Sequence, residues 1–345
     1  MASVVESQRP YLEGKFGGRV AFGRTERRLY GHDIAEIPGL IKPLVGDTTP
    51  DAVVQPVSEE ELVELVTWAA RNRVALTPRG KATSGYGGAI PVKKGIVVDF
   101  YRLSRVVSVD PGGLTATVQP GVVWEKLDRE LARQGLTLRL YPSSYPSSTV
   151  GGWLAQGGAG IGSYEAGWFC DNVVSARAVL PDGTVREFSG ADLGLVAEAE
   201  GTTGLISQVT LRVQPLEEME VWAVSCPGAG DVQQFMQSIM EQKLPLWSVL
   251  FINPRMAELK NKAPGREHYG HVEDSGVSLP VAYVVVLAFR AKDSPEVGSR
   301  LPGILAACHG QRLGDDVARH EWANRFKLMV VKRLGPSLVP AEVVV

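Results

Sequence analysis

The chain has 345 residues, enough for about two domains of ordinary size, and its 44% hydrophobic content belongs to a protein that buries a core, which excludes a disordered or fibrous chain. Lys plus Arg (36) against Asp plus Glu (38) leave a formal charge of -2, so no global positive field exists to hold nucleic acid, and no nucleic-acid partner is expected. Cys170, Cys226 and Cys308 are far apart in sequence with no C-x-x-C pair, so this chain alone is not expected to build a disulfide framework or a cysteine-ligated zinc or iron-sulfur site.

The first ten residues lack the basic-then-apolar order of a secretory signal. The longest apolar run, Val281 to Phe289, is far short of the ~20 residues a spanning helix needs. A cytoplasmic protein is expected, peripheral to a membrane only through a partner.

In chain order, residues 1–49 carry Arg24, Arg27 and Arg28, little periodicity and a Pro-rich exit at Pro38, Pro43 and Pro50. They read as an N-terminal arm, either packed on a neighbouring surface or solvated. Ala52 to Pro56 reads as a strand. Ser58 and Glu61 then form a capping box for a helix whose Leu62, Leu65, Val66, Ala69 and Ala70 recur at helical spacing, and Val74 to Pro78 is the next strand, completing a β-α-β unit. Gly95 to Asp99, Val106 to Val109 and Thr115 to Val118 are short β-branched strands, and Trp124 to Gln134 is a helix stopped by Gly135. Val173 to Leu180 meets an Asp-Gly hairpin turn at 181–184, and Ile206 to Val213 closes this region.

A domain boundary is placed near Pro215, giving an arm (1–49), a first domain (50–216) and a second portion (217–345). The last reads as strand Val221 to Ser225, helix Asp231 to Gln242, strand Trp247 to Ile252, polar loop Asn261 to Ser278, strand Val281 to Phe289 and helix Pro295 to Cys308. That order suggests an antiparallel sheet backed by helices, and the fold class is α+β. The apolar end at Val343 to Val345 suggests a truncated cap or a last strand completed by another chain.

Glycine is concentrated at 80–88 and 151–167. The first loop, Thr77 to Gly88, leaves a strand with glycines, two hydroxyls and two cations, so its backbone N–H groups can approach a phosphate. It matches neither the P-loop nor the Rossmann pattern. The second, Pro142 to Gly162, interleaves small and apolar residues, which lets backbone lie flat against a large planar ligand. Glu200 to Ile206 adds a third tight turn before a strand.

Six ordered elements carry a resemblance: Pro-Arg-Gly at 78–80 with Thr83, Ser84 and Gly85; Gly-Ile-Val-Val-Asp at 95–99; Gln-Pro-Gly at 119–121; Thr-Val-Gly-Gly at 149–152; Leu-Pro-Asp-Gly at 180–183; and Glu-Gly-Thr-Thr-Gly-Leu-Ile at 200–206. Over residues 50–215 the chain resembles the FAD-binding domain of the p-cresol methylhydroxylase and vanillyl-alcohol oxidase superfamily, in its glycolate oxidase and D-lactate dehydrogenase branch. The resemblance implies a p-cresol methylhydroxylase-type domain of two α+β subdomains, followed by a partial or reduced α+β cap.

It also implies that Pro78, Arg79, Gly80, Lys81, Ala82, Thr83, Ser84 and Gly85 wrap the FAD pyrophosphate. Pro142, Ser143, Thr149, Gly151, Gly152, Gly157, Gly158, Gly160, Gly162 and Ser163 would run along pyrophosphate and isoalloxazine, with Gly204 and Ile206 at the ligand's edge. Trp153 and Gly157 depart from relatives that carry Asn in the second cluster. Some relatives tether FAD through a His in the first loop; Arg79 to Gly88 contains none, so noncovalent FAD is expected.

Trp322-Ala323-Asn324-Arg325 resembles the Trp-x-x-Arg of D-2-hydroxy acid dehydrogenases, which implies that Arg325 grips a substrate carboxylate. The metal-binding His motif of those enzymes is not found, and no metal is expected; His268 and His271 read as a surface loop, and His32, His309 and His320 as isolated. The expected function is hydride transfer from a 2-hydroxy acid to flavin, with electrons passed to an iron-sulfur or other acceptor subunit. The alternatives are an FAD-carrying electron-transfer subunit without a complete substrate site, or a scaffold that keeps the fold for assembly.

Overall fold

The computed structural model describes residues 3–34, 40, 42–85, 87–263, 266–268, 271–273, 276–327 and 334. The expected apolar end at 343–345 lies outside them, as do Pro38 of the arm and Tyr269 and Gly270 between the two histidines. The chain divides into two compact units, residues 1–158 with 168–215, and residues 159–167 with 216–345.

The first unit holds two sheets. Strands β1 (Val20–Ala21), β2 (Ala52–Val54), β3 (Leu76–Arg79) and β4 (Ile96–Asp99) form a sheet of order β1-β2-β4-β3. The chain from β2 crosses through the helix Glu59–Asn72 to β3, and β4 then pairs parallel to both, with Val53 opposite Val97 and Thr77 also opposite Val97. Ser58 caps that helix as expected, its Oγ accepting from the Glu61 N–H. Leu62, Leu65 and Ala69 form the buried stripe against β2 and β4.

The arm is part of this core. Val5, Leu12 and Phe16, on short helices at Val4–Ser7 and Arg9–Phe16, are fully buried in the same cluster, and β1 pairs antiparallel with β2. The weak periodicity of the arm reflects the shortness of these two helices, which bury one and two side chains.

The second sheet is antiparallel. Its strands are β5 (Val106–Asp110), β6 (Thr115–Val118), β7 (Leu136–Leu138), β8 (Val173–Val179), β9 (Val185–Ser189) and β10 (Leu205–Pro215). The order is β5-β6-β10-β8-β9, with β7 also on β10. The Asp182-Gly183 turn joins β8 to β9 with Gly183 at φ 84°, as the hairpin reading requires. Glu59 ties the first helix to this sheet: it takes Arg177 at 2.6 Å and accepts from the Ser207 hydroxyl at 2.5 Å.

In the second unit β11 (Met219–Cys226), β12 (Ser248–Ile252), β13 (Arg266–His268), β14 (His271–Glu273), β15 (Tyr283–Arg290) and β16 (Gln311–Arg312) follow. An antiparallel sheet of order β12-β15-β11-β16 carries helices Ala229–Glu241 and Ser294–Ala307 in one apolar cluster, and helices Pro254–Lys262 and Asp315–Ala323 in another. The expected polar loop 261–278 is corrected here: it holds the end of a helix and the hairpin β13-β14. Asn253 caps that helix through Met256 N–H with Pro254 at its first position.

All three cysteines are free thiols. Cys226 and Cys308, distant in sequence, share one buried cluster. Burial and then the adjacent Cys308 push the Cys226 thiol up to about 12. Among the described residues no helix is long and apolar enough to cross a membrane.

Candidate functional site

The site grows from the carboxyl ends of β3 and β4, where ligands of open α/β sheets characteristically bind. The first loop leaves β3 at Arg79. Its guanidinium donates to the carbonyls of His32 (2.8 Å) and Tyr30 (3.4 Å) and lies over the Tyr30 ring. Burial lowers its pKa, against the pull of Tyr30 and Asp99. Tyr30 in turn donates to the buried Asp99 at the end of β4 (2.8 Å), so arm, loop and strand are joined. Lys81 stands over the Tyr101 ring, and the far side of the loop is held by Gly87 N–H donating to Asp33 (2.9 Å).

The second loop is set by Asp128, which accepts from Tyr141 (3.0 Å) and Tyr145 (3.1 Å). Thr149 then caps the short helix Val150–Gln156 through Gly152 N–H. Gly151 lies on Pro120 so closely that a Cβ there would stand 2.4 Å from the Pro120 Cβ. Trp153 is turned inward, stacked on Phe169 at 4.3 Å with Trp124 edge-on, so an aromatic trio forms the floor beneath the helix.

The third loop locks onto both. Glu198 and Glu200 hold positive φ (57° and 52°), an uncommon conformation for side-chain-bearing residues, and their N–H groups donate to Leu154 and Ala155 carbonyls at 2.9 and 2.8 Å. Gly201, at φ 73°, approaches Pro78 so closely that a Cβ would meet its Cγ at 2.5 Å. Gly80 approaches Thr149 in the same way. The three loops therefore close on one another in a ring.

Around this ring lies a cleft of about 120 Å³ that opens to solvent. Of the residues expected from sequence, Pro78, Arg79, Gly80, Lys81, Ala82, Thr83, Ser84, Thr149, Gly151, Gly152, Gly204 and Ile206 line it. The rest do not. Gly85 faces Ile34, Pro142 and Ser143 precede the wall, Gly157 backs onto Glu198, and the Gly158 carbonyl accepts from Phe169 N–H. Gly160, Gly162 and Ser163 belong to the second unit, where the Gly162 N–H donates to Ser248.

Sequence reasoning passed over Phe100, Pro120, Ser144, Ser148, Gln156 and Glu200, which also line the cleft. The Gln-Pro-Gly motif at 119–121 was the available signal for Pro120. Its other lining residues carry two cations, Arg79 and Lys81, against the single carboxylate of Glu200 among the described residues. The walls suit a long ligand with an anionic segment and apolar parts: hydroxyls and N–H groups at Thr83, Ser84, Ser148 and Thr149, and apolar lining at Phe100, Pro120 and Trp153. Glycines without Cβ line the approach, and this donor set fits FAD.

Arg325 belongs to the second unit. Its guanidinium lies over the rings of Trp322 (4.4 Å) and Phe326 (4.5 Å) and donates to the Trp322 carbonyl at 2.7 Å. Trp322 itself meets Trp247 edge-on.

Residues 50–189 match the family described as "FAD binding domain". Among curated relatives, the glycolate oxidase subunit GlcD of Bacillus subtilis (strain 168) is 32% identical over 178 residues, 49% of this chain and 38% of the relative. The D-lactate dehydrogenase of Archaeoglobus fulgidus is 29% identical over 282 residues, 79% of this chain and 61% of the relative. The chain thus spans less than two thirds of either relative. Among solved structures, an alkyldihydroxyacetonephosphate synthase superposes with a TM-score of 0.80 at 21% identity, over 95% of this chain and 64% of the other. The p-cresol methylhydroxylase with substrate bound gives 0.78 at 14%, over 96% and 72%. Residues 50–189 thus match an FAD binding domain, and the chain has the fold seen in the p-cresol methylhydroxylase structure.

Proposed function

We propose that the chain works as an FAD-linked oxidoreductase acting on the CH–OH of a small 2-hydroxy acid, with noncovalent FAD held by the three-loop ring. The observation that carries this reading is the ring itself, which builds one cleft from two cations, a row of small residues and apolar walls. Bound FAD supplies a two-electron acceptor for the hydrogen on the substrate carbon. Arg79 and Lys81 meet the anionic segment of the cofactor, Thr83, Ser84 and Thr149 supply hydroxyls, and Gly152 gives the backbone close approach. Noncovalent attachment is supported by the absence of His from residues 79–88.

Arg325 is the candidate for the substrate carboxylate. Stacking on two rings and a bond to a main-chain carbonyl hold its guanidinium in one orientation. A pre-oriented planar fork suits bidentate recognition of a carboxylate. Electrons would leave to a separate acceptor, such as an iron-sulfur subunit.

The second reading is an FAD carrier that passes electrons without a complete substrate site. It is favoured by the lack, among the described residues, of any cluster of three or more His, Cys, Asp or Glu side chains that could hold a metal.

The test is a visible spectrum of the purified protein before and after acid precipitation, followed by anaerobic D-lactate or glycolate. Flavin released to the supernatant supports noncovalent FAD, and bleaching by either acid supports the oxidoreductase reading. An unbleached flavin spectrum favours the carrier, and a colourless protein that added FAD does not restore overturns both. Arg325→Ala is expected to raise KM for the acid while keeping FAD; unchanged kinetics would remove Arg325 from the substrate site.

A further inference from the structure

At the other end of the first sheet, before the amino ends of β2 and β4, lies a second cleft of about 410 Å³. The FAD cleft opens at the carboxyl ends of β3 and β4, so the two are at opposite ends of these parallel strands. The second cleft is walled by Arg24, Arg27, Arg28 and Lys94, with Asp47, Thr49 and Asp51. Four cations face two carboxylates.

The carboxylates are already engaged. Asp47 takes the Thr49 N–H at 3.0 Å and Lys94 at 3.2 Å, and those bonds, the Thr49 N–H first, lower its pKa to about 2. Asp51 accepts from the Gly95 N–H at 3.2 Å. Of the arginines, Arg27 donates through Nη1 to the Pro50 carbonyl at 3.0 Å and, at 3.4 Å, to that of Asp51. Its buried Nε has no acceptor among the described residues. Arg24 and Arg28 have no carboxylate partner among the described residues.

The three arginines sit at i, i+3 and i+4 of the helix Arg24–Leu29, and so on one face. Like charges at that spacing repel and destabilise a helix. Here the described residues leave the surplus of cations uncompensated at a cavity wall, where a bound anion would compensate it. A single monocarboxylate leaves part of the surplus, whereas a phosphate group carries close to two charges and offers several acceptor oxygens to forked guanidinium donors.

We propose that this cleft is a second ligand site, separate from the FAD cleft, that takes a phosphate group through Arg24, Arg27 and Arg28. The phosphate comes either from a small soluble ligand or from an anionic lipid headgroup. These share the same chemistry, and the experiment distinguishes them.

The test uses the full chain saturated with FAD, so that the first cleft is filled. Inorganic pyrophosphate is titrated calorimetrically at low salt, and cosedimentation is measured with phosphatidylcholine vesicles with and without phosphatidylglycerol. The comparison protein is the double variant Arg24→Glu, Arg28→Glu, whose FAD content should match the parent and whose thermal midpoint should equal or exceed it, because neither side chain has a carboxylate partner among the described residues and the change relieves the repulsion along the helix. Loss of two charge-assisted contacts weakens binding by at least about tenfold. Pyrophosphate binding by the parent that falls this far in the variant supports the site and a soluble ligand. Binding only to phosphatidylglycerol vesicles, lost in the variant, supports the site and a headgroup. Binding of neither probe, or equal binding by parent and variant, overturns the proposal.

Discussion

A Cβ built on Gly80 would stand 2.4 Å from Thr149 Oγ1, so the first and second loops meet with room for a hydrogen atom and nothing larger. Thr149 cannot turn away freely, because the same oxygen accepts from Gly152 N–H to cap the following helix. Three features of the cleft therefore depend on one hydroxyl: the path of the first loop, the start of the helix, and the wall between them.

Gly80→Ala is expected to push the loops apart, costing about 1–3 kcal/mol as other overpacking substitutions do, and to lower FAD occupancy. Thr149→Ala alone should cost about 1 kcal/mol through the lost cap. The double variant should be more stable than the sum of the two singles, since removing the hydroxyl makes room for the methyl. Urea unfolding of the four proteins measures the coupling, and strict additivity would show that the contact does not constrain the loops.

Arg79→Ala removes a cation from the cleft and the donor that holds the Tyr30 and His32 carbonyls. The expected result is weaker FAD binding together with a loss of roughly 1.5–3 kcal/mol in the FAD-free protein, as for a hydrogen bond from a charged group. Titration of FAD and unfolding of the apoprotein separate the two effects. Unchanged apoprotein stability would remove the structural role, and unchanged FAD affinity would remove the binding role.

Much of the fold was legible because local signals coincided with tertiary demands. Ser58 and Glu61 announced a helix that then buries Leu62 and Leu65, and Asp182-Gly183 marked a hairpin whose glycine needs positive φ. The helix Pro254–Lys262 was missed although Asn253 and Pro254 form a start signal, because its polar composition leaves Ala257 as the one buried side chain. The site was legible as loops but not as a ring. Nothing local in Gly80, Gly151 or Gly201 names Thr149, Pro120 or Pro78 as the surface each must approach, and nothing local in the small-residue run marks that Gly160, Gly162 and Ser163 belong to the second unit.

Alkaline pH offers a further prediction. Tyr30 is pushed up from 10 to about 12, by burial first and then by the Asp99 carboxylate it donates to. Below about pH 10 the phenol is neutral in both folded and unfolded chains, and the stabilisation is fully present. Between about 10 and 12 the unfolded chain loses the proton while the folded one keeps it, so stability falls by up to ~1.4 kcal/mol per pH unit. Tyr141 shifts the same way, through burial and then Asp128. Tyr30→Phe should therefore flatten the decline only in part. Urea midpoints at about pH 9 and about pH 11 measure this, and an identical decline in parent and variant would show that Tyr30 is not the group responsible.

In the second unit, Lys260 on the helix Pro254–Lys262 pairs with Glu321 on the helix Asp315–Ala323, with side chains 11% and 2% exposed. Glu321 Oε1 has no hydrogen-bond partner among the described residues, although His320 Nε2 lies 3.6 Å away. A buried carboxylate that depends on one cation is costly to strand. Lys260→Met is expected to destabilise by about 3–5 kcal/mol, whereas Lys260→Met with Glu321→Leu, which removes both charges and fills the space with apolar atoms, should lie near the parent or above it. Denaturant unfolding of both variants decides the matter. A single variant as stable as the double would mean that water reaches Glu321 and that the two helices are held by the apolar contacts of Ala257, Val317 and Ala318 alone.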